Sequence, residues 1–179
     1  GLTAVTLPDS VKTVGQQAFN GCASLSAVTL GTGVTTIGKN AFNGCADVRE
    51  VTIPKAVKTI GANAFDGCAS LATVNYGGSV AQWNRIAIGE GNAPLTNATL
   101  VDTPAKCIGM NLQKTPDKLN YFNTEALDLT GLELAMFYDD DTSVTVTEGY
   151  EYTCDAFGAP GTYTVTVTYG DYTDQFQVK

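Results

Sequence analysis

Five cysteines and a short acidic run are the side chains here with the most chemistry open to them, and no histidine stands beside them. Without imidazole there is no His-based triad, no His metal ligand and no proton shuttle tuned near neutral pH. Carboxylate-pair or Cys–Lys chemistry would need a site that the motif pattern does not show. Cys22, Cys45 and Cys68 recur at a spacing of 23. Metal-ligand pairs are usually about two to four residues apart, so these three are expected to be buried thiols packing as small hydrophobes. Three thiols cannot pair evenly, and disulfide geometry is restrictive. Cys107 and Cys154 form either a bridge, which an extracellular compartment permits, or two thiols. Asp139-Asp140-Asp141 with Glu148 offers oxygens to calcium but lacks the alternate-residue spacing of a loop site, and reads as a solvated acidic turn. The expectation is therefore no catalytic residue, no metal and no cofactor.

The elements that carry these residues come from an internal repeat. Ala18-Phe19 with Gly21-Cys22 returns as Ala41-Phe42 with Gly44-Cys45 and as Ala64-Phe65 with Gly67-Cys68. Val5-Thr6-Leu7 matches Val28-Thr29-Leu30, Val51-Thr52-Ile53 and, weakly, Val74-Asn75-Tyr76. Val11, Val34, Val57 and Val80 fall in line, as do Val14-Gly15, Ile37-Gly38 and Ile60-Gly61, while Leu2, Leu25, Val48 and Leu71 open the units. Each unit alternates apolar and small polar residues as a short strand does. Pro8, Gly31 or Pro54 then breaks it. Residues 40–45, with an Asn start and a Gly stop, suit about one helical turn. A unit this small cannot bury its apolar face alone, so neighbours must stack and align equivalent side chains into ladders.

A period of 23 lies in the leucine-rich-repeat range. The pattern L-x-x-V-x-L-P…V-x-x-I-G-x-x-A-F-x-G-C resembles the BspA-like leucine-rich repeats of bacterial surface proteins, closely over residues 2–70 and with decay over 71–100. The resemblance implies a secreted or surface-attached protein, often of host-associated bacteria, with adhesion or partner binding as its role. In the fourth copy Trp83-Asn84 stands where Ile-Gly stood. Terminal repeats must close the core against solvent, so Tyr76 and Trp83 read as cap residues, a sugar-stacking platform being the alternative. Residues 95–101 read as a finishing strand. No comparable cap precedes Leu2, and the chain is expected to be a segment of a longer protein with repeats and a signal peptide upstream.

The strand positions turned away from the core are Ala4 and Thr6, Ala27 and Thr29, Glu50 and Thr52, and Thr73 and Asn75. Thr6, Thr29, Glu50, Thr52, Thr73 and Asn75 are the candidate partner-binding face, a shallow polar groove for a protein or glycan. Against this stands threonine's strand propensity on a solvated face, and the absence of the aromatic and Arg residues that dominate binding hot spots.

After Thr103-Pro104 the period vanishes. Ile108, Met110 and Leu112 alternate, as do Leu132, Leu134 and Met136, Val144 and Val146, and Tyr163 through Tyr169. Gly170-Asp171 between two alternating runs signals a hairpin. Pro116, Lys118, Tyr121, Leu127-Asp-Leu-Thr-Gly-Leu132, Tyr138-Asp139 and the segment Gly161 to Gly170 resemble bacterial immunoglobulin-like domains, with Thr124-Glu125 where the family has Gly-Glu. That resemblance implies a β-sandwich acting as a spacer. The expected fold is mainly β: a leucine-rich-repeat solenoid over 1–103, capped from about 71, then an immunoglobulin-like sandwich over 104–179.

Net charge is −8 over 179 residues. Residues 1–104 hold six acidic and six basic side chains, so the whole excess lies beyond them. A neutral unit beside an acidic one repels phosphate backbones, which argues against nucleic acid. No apolar run reaches the roughly 18–20 residues of a membrane span. The expected protein is a monomer at the bacterial surface whose partner is a host or bacterial surface protein or glycan.

Overall fold

Every unit of 23 residues supplies two short strands, because two apolar-alternating stretches are separated by residues that cannot continue a strand. The computed structural model describes residues 1–122, 125–154 and 160–179. In chain order the first part contains β1 (Ala4–Thr6), β2 (Thr13–Val14), β3 (Ala27–Thr29), β4 (Thr36–Ile37), β5 (Glu50–Ile53), β6 (Thr59–Ile60), β7 (Thr73–Tyr76), α1 (Val80–Trp83), β8 (Ala87–Ile88), α2 (Ala93–Asn97) and β9 (Thr99–Val101). Odd-numbered strands form one parallel sheet, β1-β3-β5-β7-β9, and even-numbered ones a second, β2-β4-β6-β8. The result is a mainly β solenoid of about four turns, within a compact unit spanning Gly1–Ala105.

Register in the first sheet keeps Val5, Val28, Val51 and Val74 abreast. With Leu25, Leu30, Val34, Ile37, Phe42, Ile53, Ile60 and Phe65 they fill one continuous core. The phenylalanines form an interior column: Phe19 and Phe42 stack at 5.1 Å, Phe42 and Phe65 at 5.2 Å. Phe42 and Phe65 are wholly buried, while Phe19, in the first coil, is half-buried.

The helical turn expected over 40–45 is a succession of tight turns instead. Amides alternate between bonding inside the coil and bonding to the next one. Ala41, Asn43 and Cys45 donate to Gly38, Asn40 and Phe42, whereas Asn40, Phe42 and Gly44 donate to Ala62, Ala64 and Asp66. A helix would spend all these donors internally and leave the coils unjoined. Asn40 opens the segment at φ 56 and Gly44 closes it at φ 73, left-handed conformations that Asn tolerates and Gly adopts freely. Gly61 answers a different demand, since a Cβ there would lie 2.5 Å from the Lys39 amide nitrogen.

Two further expectations are corrected at the C-terminal end of the solenoid. Ile60 pairs with Ile88, so Ile88-Gly89, not Trp83-Asn84, takes the place of Ile60-Gly61. The reason is an insertion: α1 adds five residues to this coil, which puts Val80 on the surface at 47% exposure. Helix α1 is set by a capping box in which Ser79 and Gln82 satisfy each other's backbone amides at 3.2 and 3.1 Å. The finishing strand over 95–101 is half helix, α2 carrying Pro94 in its first turn before β9 begins at Thr99.

The second compact unit spans Lys106–Lys179. Its strands are β10 (Cys107–Lys114), β11 (Glu133–Tyr138), β12 (Ser143–Val146), β13 (Glu151–Cys154), β14 (Tyr163–Tyr169) and β15 (Tyr172–Val178). They form two antiparallel sheets, β10-β11-β12 and β13-β14-β15. Met110, Leu132, Leu134 and Met136 from the first side share one core with Val165, Val167, Phe176 and Val178 from the second, an arrangement compatible with a β-sandwich. The Leu112 amide reaches across to the Asp174 carboxylate at 2.6 Å. The hairpin at Gly170-Asp171 is present, with Tyr169 paired to Tyr172. Ile108 breaks the expected alternation and is 62% exposed, because a bulge between Cys107 and Gly109 shifts the register there. Lys118 meets Glu125 at 2.9 Å and lies over the Tyr121 ring, so three residues of the expected motif sit together; Thr124 lies outside the described residues.

Candidate interaction surface

The first sheet brings all six candidate residues onto one face. Side chains alternate across a strand, so with Val5, Val28, Val51, Val74 and Leu100 facing the core, their neighbours face out. Two files result: Thr6, Thr29, Thr52, Asn75 and Val101 in one, Ala4, Ala27, Glu50, Thr73 and Thr99 in the other. With stacked strands roughly 4.8 Å apart, five rungs span about 19 Å. The two files touch where the Asn75 side-chain amide donates to the Glu50 carboxylate, which ties down the face's one charged side chain. Thr99 and Val101 escaped sequence reasoning because the fifth rung follows the fourth by 26 positions rather than 23 (Thr73 pairs with Thr99). Val101 is 50% exposed and puts an apolar end on an otherwise hydroxyl-rich strip. Chemically the strip offers hydroxyl donors and acceptors, one carboxylate and one carboxamide, the carboxylate being engaged by the Asn75 amide.

The cysteine file serves the stack itself. The Cys45 thiol donates to the Phe19 carbonyl at 3.1 Å, and the Cys68 thiol to the Phe42 carbonyl at 3.3 Å. Each sulfur thus ties its coil to the one before. Burial, with the neighbouring thiol adding to it, pushes Cys45 upward and Cys68 up to about 12. The folded Cys68 thiol keeps its proton to about 12, whereas the unfolded one ionises near 9.0. Between those values the fold binds the extra proton, so the Cys68 contribution to stability is complete below pH 9 and is lost as pH rises toward 12. We expect Cys45 and Cys68 to react with a thiol reagent at pH 8 at the rate of unfolding, with denaturant abolishing the protection. Fast native labelling of both would contradict the burial argument.

The acidic turn departs from the expected solvated run. Asp140 is only 3% exposed, and its carboxylate accepts from the Thr142 amide at 3.0 Å and from the Thr142 hydroxyl. Asp139 accepts from the Lys106 amide at 2.9 Å. Asp140 is therefore occupied in holding the β11–β12 turn, and Asp139 in tying it to the residue ahead of β10. Among the described residues no cluster of three or more Cys, Asp or Glu side chains is placed to hold a metal ion. Cys107 donates its thiol to the Gly109 carbonyl at 3.4 Å. At the solenoid end, Tyr76 is 3% exposed and meets Trp83 edge-on at 5.2 Å. So buried a ring offers no stacking surface, and the pair seals the core.

Residues 1–106 match the family model described as the BspA type leucine rich repeat region (6 copies). Among solved structures the chain is similar to the leucine-rich-repeat protein of T. pallidum, at 33% identity over 44% of this chain and 42% of that one, with a TM-score of 0.39. It is also similar to a leucine rich cell surface protein of Faecalibacterium prausnitzii A2-165, at 24% identity over 48% of this chain and 35% of that one, with a TM-score of 0.31. The match thus spans less than half the length of either solved protein. No curated protein matches the chain.

Proposed function

The chain belongs to the BspA-type leucine-rich-repeat family, and from that premise we propose that it is a non-enzymatic interaction module of the bacterial cell surface or extracellular space. In this reading the solenoid presents the two-file strip to a host or bacterial surface protein or a glycan, and the second unit, an immunoglobulin-like sandwich, is a spacer. The observation that carries it is the unbroken register of five parallel rungs, which fixes Thr6, Thr29, Thr52 and Asn75 at a regular pitch without mobile loops. Rigid donors lose little entropy on binding. No helix among the described residues is long and apolar enough to cross a membrane.

The test is an array of matrix proteins, mucins and glycans probed with the whole chain, alongside a double variant Thr29→Arg/Thr52→Arg. Thr29 is exposed and Thr52 half-buried, both in the outward file, so the variant should fold. Micromolar binding that drops about tenfold in the variant supports the strip. One observation favours a second reading: the strip has no aromatic or Arg anchor. Uniform absence of binding would make the chain a stalk that carries a binding or catalytic domain in a longer protein.

A further inference from the structure

The two sheets of the second unit are joined along one side and open along the other. On the joined side the end strands β10 and β15 meet. There the Leu112 amide donates to the Asp174 carboxylate at 2.6 Å, and the Tyr172 hydroxyl to the Cys107 carbonyl at 2.7 Å. At the opposite ends of the two sheets lie β12 and β13, each paired along one edge only among the described residues. We propose that β12 takes up an extended, positively charged segment of another protein as an added strand. This gives the second unit a binding role besides spacing, and it does not rest on the two-file strip.

Side-chain direction shows where that side is open. Residues opposite one another on neighbouring strands share a face of the sheet. Val144 is opposite Met136 and Tyr152 opposite Val167, and both partners are buried in the core between the sheets. Val144 and Tyr152 therefore point inward, yet they are 51% and 49% exposed. An inward side chain that stays half in water is one that the facing sheet does not reach. Val146 and Cys154, farther along the same strands, face the same way and are half-buried against that core. A further strand beside β12 would lay its own inward side chains over Val144 and Tyr152.

The backbone of β12 is set up to pair. The Tyr138 amide donates to the Thr142 carbonyl at 3.0 Å. Bonded positions alternate along an antiparallel pair, so Val144 and Val146 bond to β11, whereas Ser143 and Thr145 turn their amides and carbonyls away from it. Both are exposed. Edge strands are usually blunted by charge, proline or a bulge. Residues 143–146 include no charge and no proline, and they pair with β11 in unbroken register. β13, by contrast, opens on Glu151. Charge then selects the partner. No Lys or Arg occurs between Lys118 and Lys179. Asp141 precedes β12, Glu148 lies in the link to β13 and Glu151 at its start, all three exposed. A second copy would bring the same carboxylates against these, and like charges repel. A segment with Lys or Arg around a short alternating apolar run meets opposite charge instead. Main-chain bonds then supply the docking and alternate side chains the fit.

The test is hydrogen exchange and a ¹⁵N–¹H titration of the full chain with three short peptides. One alternates valine and threonine between flanking lysine pairs, a second has glutamates for the lysines, and a third repeats the first with a proline at its centre. The lysine peptide should slow exchange at the Ser143 and Thr145 amides and shift those of Val144 and Tyr152, with affinity falling as salt rises. The glutamate peptide should bind about tenfold more weakly through repulsion, and the proline peptide likewise because it lacks a main-chain donor. Val144→Lys, at a position already half in water, should keep the rest of the spectrum and lose about tenfold in affinity for the lysine peptide. Tyr152→Ser should weaken binding in the same direction by removing apolar cover. The proposal fails if Ser143 and Thr145 exchange at an unchanged rate, if the glutamate peptide binds as tightly, or if neither variant weakens binding. Sedimentation of the chain alone decides the remaining case: a dimer that already protects these two amides would put a second copy on β12 and overturn the charged partner.

Discussion

Phe42→Ala should remove about 3–5 kcal/mol of unfolding free energy, the usual cost of deleting a buried aromatic ring. The Phe42 ring lies between Phe19, parallel to within 3°, and Phe65, at 20°, and is wholly buried. Deleting it therefore empties the middle of a column and takes contacts from both neighbours at once. In a solenoid, stability is approximately the sum of coil and interface contributions, so two interfaces weaken from a single change. Phe19→Ala should cost less, on the order of 2 kcal/mol, because part of that ring is already in water. Denaturant titration of both variants gives the comparison. Phe42→Leu, which keeps most of the volume, should recover the greater part of the loss. A cost below about 1 kcal/mol for Phe42→Ala would mean that the column does not couple the coils.

What sequence could and could not show follows from where the spacing holds. Phe19, Phe42 and Phe65 share one spacing, and so do Val5, Val28 and Val51; any stacked arrangement of equal coils must align them. The outward files follow from the same register, so Thr6, Thr29, Glu50, Thr52, Thr73 and Asn75 were legible as a set. The α1 insertion broke the counting. Val80 and Trp83-Asn84 fall 23 residues after Val57 and Ile60-Gly61, yet Ile88-Gly89 occupies the latter place. A Gly whose Cβ would lie 2.6 Å from the Ala62 amide nitrogen marks that place, and an Ile-Gly pair five residues late was the available clue. In the second unit the alternation of Leu132, Leu134 and Met136 was legible. Ile108 was not, because a bulge reverses facing without leaving a mark in the pattern. The face's Glu50–Asn75 hydrogen bond was likewise invisible, for it depends on side-chain reach and not on spacing.

Asn92→Ala should be nearly as damaging as the loss of Phe42, by a different route. In each regular coil the Phe amide donates to a backbone carbonyl one coil on: Phe19 to Ala41 at 2.7 Å, Phe42 to Ala64 at 2.8 Å. Phe65 has no further coil of that kind, and its amide donates at 2.9 Å to the side-chain oxygen of Asn92. The Asn92 side-chain nitrogen donates in turn to the Gly61 and Gly89 carbonyls at 3.0 and 2.8 Å. One carboxamide thus substitutes for the missing peptide, and at 3% exposure water cannot replace it without opening the end of the stack. Removing it orphans the Phe65 amide and the Gly89 carbonyl, while the Gly61 carbonyl keeps the Ala64 amide at 3.3 Å; at on the order of 1–3 kcal/mol for each buried unpaired group, we expect a total of about 3 kcal/mol. Asn92→Leu distinguishes lost bonding from lost volume: it fills the space but satisfies neither orphaned group, and should be about as unstable as Asn92→Ala. Hydrogen exchange adds the location, with the Phe65 amide losing protection while the Phe42 amide, bonded to Ala64, keeps its own. If Asn92→Leu were as stable as the parent chain, the end of the stack would be closed by apolar contact alone, and Tyr76 and Trp83 would be its whole cap.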